Sequence, residues 1–378
     1  MSAKNTLVIL LTWLALLLIG YLIVGNHFNT KKANRSVCST KWNENSYSGS
    51  FEMAEEYLKR SAFKDYRYNF FGLDSLQYKF CFDYHTSGNR LGDYFNALGC
   101  AHAAGLHFQV DGPLWPSSPF LSAIPRFVRH PSPTVSKKTA ISRIQSECQG
   151  CKFWCWEDQN APWMHALPLV KKVMHKAALQ HAKIFNSTSL NSQSDLSSGN
   201  AANKQLPVIP DVALQYRCGD NIEQDPNRYG FISFKGISER IPKAAKFIYI
   251  LSDPPERSAV RATAFNSKCK EIIAAFHDHV VSNFPGAVVV AKRGGDPFLD
   301  FARFTLAETT VCSSSTFCLW PALANRNNVF LPISLTMGGA NKTFQPFLGE
   351  NIHFLGEPLI GNFTKETSLE DILKVLRS

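Results

Sequence analysis

The sequence predicts an α/β protein carried on a membrane anchor, and three observations lead to that expectation. Short β-rich runs alternate with helical stretches through the second half, a strand leads through a glycine turn into an Ala-rich helix in the first half, and an uncharged apolar run stands near the amino terminus. At 378 residues the chain has room for about two domains. Its 45% hydrophobic and 19% charged content excludes wholesale disorder, a collagen-like chain and a coiled coil. The 40 basic and 30 acidic residues leave a net charge of +10 spread along the length. That balance favours anionic ligands, a phosphorylated small molecule among them, and calls for no nucleic-acid partner.

The apolar run, Leu7–Val24, is 18 residues without a charge. A cleaved secretory signal has a core of about 7–15 residues and ends in a small-residue site, whereas Gly25-Asn26-His27-Phe28 follows here. The run is therefore read as a retained signal-anchor (7–24) behind a short cytoplasmic tail (1–6). Flanking charge, Lys4 on one side and Lys31, Lys32 and Arg35 on the other, does not fix the orientation. The body does: Asn-x-Ser/Thr acceptors at Asn34, Asn186, Asn341 and Asn362, together with ten cysteines, suit an oxidising lumen. The short span leans towards the thinner membranes of the early secretory pathway, so a single-pass Golgi or ER protein with a luminal body is expected. Residues 25–75 are assigned to a stem, polar and rich in Asn, Ser and Lys from Asn26 to Phe51.

The first domain is expected over 76–205. An apolar-aromatic run, Tyr78–Tyr84, precedes His85-Thr86-Ser87-Gly88-Asn89-Arg90-Leu91 and an Ala-rich helical stretch. A strand, a glycine turn and a helix start make a loop that approaches a phosphate or sugar, because glycine admits the ligand to the backbone and the helix start offers open amides. Further on, Cys148, Cys151 and Cys155 lie in CQGCKFWCWED; one Cys pair with a single extra Cys is short of a zinc site, so disulfides are expected there. The polar stretch Asn186–Gln205 buries too little to fold alone and marks the domain boundary.

The second domain is expected over 206–378. Strands are read at Val212–Tyr216, Lys246–Leu251, Ala287–Ala291, Thr309–Cys312 and Val329–Leu331, with helices at Glu256–Phe284, at Pro297–Ala307 and from near Phe317. Such alternation argues for a parallel sheet covered on both faces, with ligands bound outside the carboxyl ends of its strands. Three strand ends carry polar chemistry: Arg217-Cys218-Gly219-Asp220, Ser252-Asp253-Pro254-Pro255, and the Ser-rich loop Cys312-Ser313-Ser314-Ser315-Thr316. Each also has a plainer reading, as a surface turn, an Asp-Pro turn and a helix N-cap. Cys312 and Cys318 flank the Ser-rich loop and are either bridged or buried thiols.

Taken together, the glycine loop before an Ala-rich helix, the box Gln215-Tyr216-Arg217-Cys218-Gly219-Asp220 and the segment Asp300–Phe317 (DFARFTLAETTVCSSSTF) resemble the fucosyltransferase superfamily, which includes α1,2-, core α1,6- and protein O-fucosyltransferases. The resemblance spans about Phe80 to Trp320, with gaps. It implies a GT-B-like fold of two Rossmann-like domains facing a cleft, and an inverting, metal-independent glycosyltransferase that takes GDP-fucose as donor substrate and a glycan or glycoprotein as acceptor.

By the same resemblance Arg217 binds the β-phosphate and stabilises the leaving diphosphate. Ser314, Ser315 and Thr316 lie near the phosphates, and Asp300 accepts from guanine N–H groups. Asp253 matches a strand-ending Asp of the family, and Asn89 and Arg90 face the cleft from the other domain. The family's first histidine of the box, a base-contacting residue, is Gln215 here, which can still hydrogen-bond the donor's base, and its second arginine is Cys218, so one cation is missing. Asp220 is the candidate base within the box; Glu223, Asp225, Asp83 and His85 are further carboxylate or imidazole candidates. No metal and no cofactor is expected. A membrane-anchored sulfotransferase would share the topology but needs a Lys-bearing phosphate loop, which Ser87–Arg90 lacks. A non-catalytic glycan-binding protein on a degenerate transferase fold is the third reading, consistent with Gln215 and Cys218.

Overall fold

The computed structural model describes residues 68–71, 75–79, 87–111, 118–133, 136–148, 161–191, 207–222, 226–227, 229–253, 263–334, 348–364 and 366–378. The expected signal-anchor 7–24, the expected stem as far as 67, Cys151, Cys155, Asp83, His85, Glu223 and Asp225 lie outside them. Among the described residues no helix is long and apolar enough to cross a membrane.

In chain order the first half contains β1 (Tyr68–Phe71), β2 (Ser75–Lys79), α1 (Ser87–Ala104), β3 (His107–Asp111), α2 (Pro119–Ser122), β4 (Phe127–Val128), α3 (Lys137–Cys148), a 3-10 turn (Pro162–Ala166) and the long α4 (Leu167–Asn191). The second half contains β5 (Val212–Gln215), a 3-10 turn (Gly219–Ile222), α5 (Phe234–Ser238), β6 (Phe247–Ser252), α6 (Thr263–Asn283), β7 (Val288–Arg293), α7 (Pro297–Leu306), β8 (Thr309–Val311), α8 (Thr316–Ala324), β9 (Asn328–Pro332), β10 (Ile352–Leu355) and α9 (Leu369–Arg377).

The expected parallel sheet is present. Six strands run in the order β10-β9-β8-β5-β6-β7, and every neighbouring pair is parallel. The chain starts in the middle at β5, winds outward through β6 to β7, then returns to the other side of β5 for β8, β9 and β10, which is the doubly wound order. Strands β5 and β6 are buried at every position, as strands covered on both faces must be. Val212, Leu214, Ile248, Ile250 and Val311 form one core with side chains of α5, α6 and α9, where Tyr216 stacks on Phe276 at 4.3 Å. Ala213, Tyr249, Leu251, Val329 and Leu331 face the other way, into a core shared with α7 and α8.

That second core does not stop at the predicted domain boundary. It runs on through Leu91, Phe95 and Leu98 of α1 and Val170, Met174 and Ala178 of α4, so the helices of the first half close over α7 and α8. Residues Ala54–Ser378 accordingly form one compact unit. The described strands of the first half make a mixed sheet, β1-β2-β3-β4, in which only β2 and β3 are parallel; β1 and β4 flank them antiparallel. This sheet holds a single β–α–β unit, β2–α1–β3, in place of the expected second parallel sheet. The polar stretch 186–205 begins within the last turns of α4.

Two local differences from the sequence reading have clear causes. Gly88 is not in a turn; it lies in the first turn of α1. A Cβ at Gly88 would fall 2.6–2.8 Å from the backbone of Thr316 and Phe317, so its role is to let the starts of α1 and α8 touch. α1 instead uses Gly105 to end: its φ of +71° supplies the left-handed residue, with Leu106 N–H donating to Ala101 O and Gly105 N–H to His102 O. β10 and α9 were not expected. The strand is a four-residue run interrupted by His353, and α9 is a short helix recognisable by its Ser368 cap, its acidic start and its basic end, burying only Ile372 and Leu376.

Gly99 provides the sharpest packing test. A Cβ there would meet Pro162 O at 1.9 Å, backbone against backbone, whereas Gly286 has nothing within 4 Å. Gly99→Ala is expected to destabilise by roughly 1–3 kcal/mol or more, and Gly286→Ala to stay within about 0.5 kcal/mol of wild type. Denaturant unfolding of both variants checks this; equal behaviour would contradict the close α1 contact.

Candidate functional site

The strand order reverses between β5 and β8: the connection leaving β5 crosses one face of the sheet and the one leaving β8 crosses the other. In doubly wound sheets the region beyond the carboxyl ends at such a reversal is the crevice where ligands bind. Two of the three polar strand ends singled out in the sequence, Arg217-Cys218-Gly219 and Ser313–Thr316, flank this point, and the third, Ser252-Asp253, adjoins them from β6.

The two flanking loops are bonded to each other. Gln215, the buried last residue of β5, accepts from Ser313 Oγ at 3.3 Å, and Ser313 Oγ accepts from Arg217 N–H at 3.0 Å. The Arg217 guanidinium donates through Nη1 to Ser314 O at 3.3 Å and lies 4.7 Å from the centre of the Tyr229 ring. Its planar cation is thus laid along the Ser-rich loop by backbone and aromatic contacts on two sides. Beside it, Asp253 accepts from Cys218 N–H at 3.1 Å and its carbonyl accepts from Arg293 Nε at 3.3 Å. Asp253 thus braces the Arg217 turn. Gly219 has φ +56°, a left-handed conformation that glycine adopts without strain. Asp220 follows in the 3-10 turn.

Both loops are closed covalently. Cys218 is bridged to Cys269 of α6, and Cys312 to Cys318 across the Ser-rich loop. Cys218 is therefore a structural half-cystine.

Every hydroxyl of the Ser-rich loop has an internal partner. Ser314 Oγ bonds Ser334 Oγ at 2.8 Å, Ser315 Oγ caps α8 by accepting from Phe317 N–H at 3.2 Å, and Thr316 Oγ1 donates to Asn89 Oδ1 at 2.6 Å. The last bond joins the starts of α8 and α1. Trp320 Nε1 donates to Gly88 O at 2.7 Å one turn further along, and Phe317 stacks on Phe301 of α7 at 4.5 Å. Two helix amino ends thus converge on the crevice, each with the positive end of its dipole, and Arg217 adds a full charge. Arg90, one residue after Asn89, is half-buried and paired with Asp93 at 3.2 Å. Chemically the arrangement suits a compact anion drawn by the Arg217 cation and the helix dipoles; the hydroxyls serve chiefly to hold the loop, and the Phe317, Cys318 and Leu319 amides are already bonded to Ser315.

Asp300 is not among these residues. Its carboxylate is buried and accepts from Tyr249 OH at 2.8 Å and Arg303 Nη1 at 3.0 Å, while Arg303 lies 4.3 Å from the Tyr249 ring centre. Burial pushes its pKa up to about 6, against the opposing pull of Tyr249 and Arg303. Tyr229, Ser334 and Trp320 went unread in the sequence; only the aromatic side chain of Trp320, on the predicted helix from Phe317, carried a signal, and that signal reads as core. Among the described residues no three His, Cys, Asp or Glu gather as a metal-holding group. The chain matches no protein-family model, no curated protein and no solved structure.

Two outcomes follow from this geometry. Asp300 has a folded pKa above its unfolded value of 3.8, so the stability it contributes is whole below about pH 4 and is lost as pH rises through about 6. Stability measured relative to Asp300→Asn, by denaturant unfolding at each pH, is expected to fall by roughly 2–3 kcal/mol across that window; a flat difference would contradict it. The two disulfides close spans of 51 and 6 residues. On chain entropy alone, serine replacement of the Cys218–Cys269 pair should cost about 4 kcal/mol and of the Cys312–Cys318 pair about 2 kcal/mol, an ordering that thermal unfolding reads directly.

Proposed function

We propose that this chain is a luminal, membrane-anchored glycosyltransferase that transfers fucose from GDP-fucose to a hydroxyl of a glycan or glycoprotein, without a metal and with inversion, on its doubly wound α/β body. The observation that carries the reading is Arg217, set at the carboxyl end of β5 along the Ser313–Ser314 segment at the reversal of strand order. A nucleoside diphosphate sugar presents that crevice with a compact dianion.

In this reading the acceptor oxygen attacks the anomeric carbon, the bond from that carbon to the β-phosphate oxygen breaks, and GDP departs with the electron pair. Arg217, aided by the dipole of α8, neutralises the charge that grows on the diphosphate, which lowers the barrier because the interaction strengthens as the bond breaks. The acceptor's proton passes to a carboxylate, for which Asp220 in the turn after Arg217 is the candidate. Asn89 and Arg90, at the start of α1, border the crevice from the opposite helix and contact donor or acceptor.

A second reading, a non-catalytic glycan-binding protein on the same fold, draws support from two observations: Cys218 is committed to a disulfide, and Asp300 already has Tyr249 and Arg303 as partners instead of a guanine base.

Calorimetric titration of the detergent-solubilised chain with GDP, UDP and adenosine 3′,5′-bisphosphate separates the possibilities. Selective GDP binding, weakened roughly 10- to 100-fold in Arg217→Ala, is the expected result, the range being that of lost charge-assisted hydrogen bonds. Preference for UDP or the bisphosphate would reassign the donor and overturn the fucosyltransferase reading, the bisphosphate in favour of a sulfotransferase. Binding of none would favour the glycan-binding protein.

A further inference from the structure

Of the four Asn-x-Ser/Thr acceptors, Asn34 and Asn341 lie outside the described residues and Asn186 falls within the last turns of α4. Asn362-Phe363-Thr364 is different. It belongs to an irregular segment between β10 and α9 that is pinned at several points. Ile360 and Phe231 exchange backbone hydrogen bonds at 2.8 and 2.7 Å, Phe363 N–H donates to Ile222 O at 3.0 Å, and Thr364 N–H donates to Thr367 Oγ1 at 3.0 Å. Phe363 turns inward and packs on the α5/α6 core, while Asn362 and Thr364 on either side are exposed. The backbone at Asn362 is left-handed, φ +62°, a conformation that Asn tolerates better than other side-chain-bearing residues. The fixed backbone thus presents the acceptor amide and the threonine hydroxyl of the sequon together on the surface, where a glycan meets no core residue.

From this we infer that Asn362 is an N-glycosylation site. The inference rests on the luminal reading of the body. The reaction joins the Asn362 side-chain nitrogen to C1 of an oligosaccharide supplied as its lipid diphosphate; the C1–oxygen bond to the diphosphate breaks, the lipid diphosphate leaves with the electron pair, and the amide gives up one proton. Because Phe363 is bonded to Ile222, the last residue of the turn that follows Arg217, the attached sugar stands on the carboxyl side of the sheet, the side on which the candidate site opens.

The test uses the full chain produced in a eukaryotic secretory cell line, with the other three acceptors removed together (Asn34→Gln, Asn186→Gln, Asn341→Gln). The expected result is one shift in mobility on peptide-N-glycosidase digestion, with conversion of residue 362 to Asp seen by mass spectrometry. The shift should vanish with Asn362→Gly, which keeps the left-handed backbone without strain, and persist with Thr364→Ser, which preserves the acceptor motif. An unmodified Asn362 in the wild-type chain that carries glycans at other acceptors would overturn the inference and leave the luminal reading standing. Absence of glycan at all four acceptors would overturn both.

Discussion

Everything at the candidate site depends on filling the gap that opens where β5 and β8 lie side by side but send their connections to opposite faces. Main-chain groups at the two strand ends would otherwise be left without partners, a cost of the order of 1–3 kcal/mol each when buried. Here Ser313 Oγ bridges Gln215 and Arg217, the Arg217 guanidinium reaches the Ser314 carbonyl, and a disulfide closes each loop. The same bonds that satisfy the gap orient a cation along its rim.

A second dependence runs through α1. Its opening turn reaches α8 only because Gly88 has no side chain, and the contact is held by Trp320 Nε1 on Gly88 O and Thr316 on Asn89. Trp320 in turn packs against Phe95 and, edge-on, against Trp163. The first half of the chain is thus keyed into the second through buried aromatic surface rather than across an open, solvated cleft, so that Asn89 and Arg90 are carried to the crevice by packing. The buried Asn325 performs a comparable task at the far end of α8, donating to Phe304 O, Ala307 O and Thr310 Oγ1 and so fixing the end of α7, the start of β8 and the end of α8 together.

How legible each part was in the sequence follows from the range of the forces that shaped it. β5, β6 and α7 were readable because burial on both faces, or along one stripe, imposes a local pattern of residue types. Arg217 and Ser313–Thr316 were readable as chemistry at strand ends, since the strand itself supplied the landmark. What brings them together was not: Gln215 with Ser313, Arg217 with Tyr229 and Thr316 with Asn89 are contacts between residues far apart in sequence, with no periodic trace. Gly88 was misread as a turn because a glycine required by a neighbouring helix looks the same in sequence as one required by φ. Asp300 shows the converse. Its place on α7 was legible, but its partners, Tyr249 across the layer and Arg303 one turn on, give it a structural bond set that the resemblance did not foresee.

The central claim is that an anionic ligand sits at the strand-order reversal, on Arg217 in the turn after β5 and beside the Ser-rich loop that opens α8. Amide hydrogen exchange of the chain with and without saturating GDP tests it most directly. The account predicts slowed exchange concentrated at residues 216–222 and 313–318, with weaker protection at the start of α1. Protection centred on the small mixed sheet or on α9, with the two loops unchanged, would contradict it.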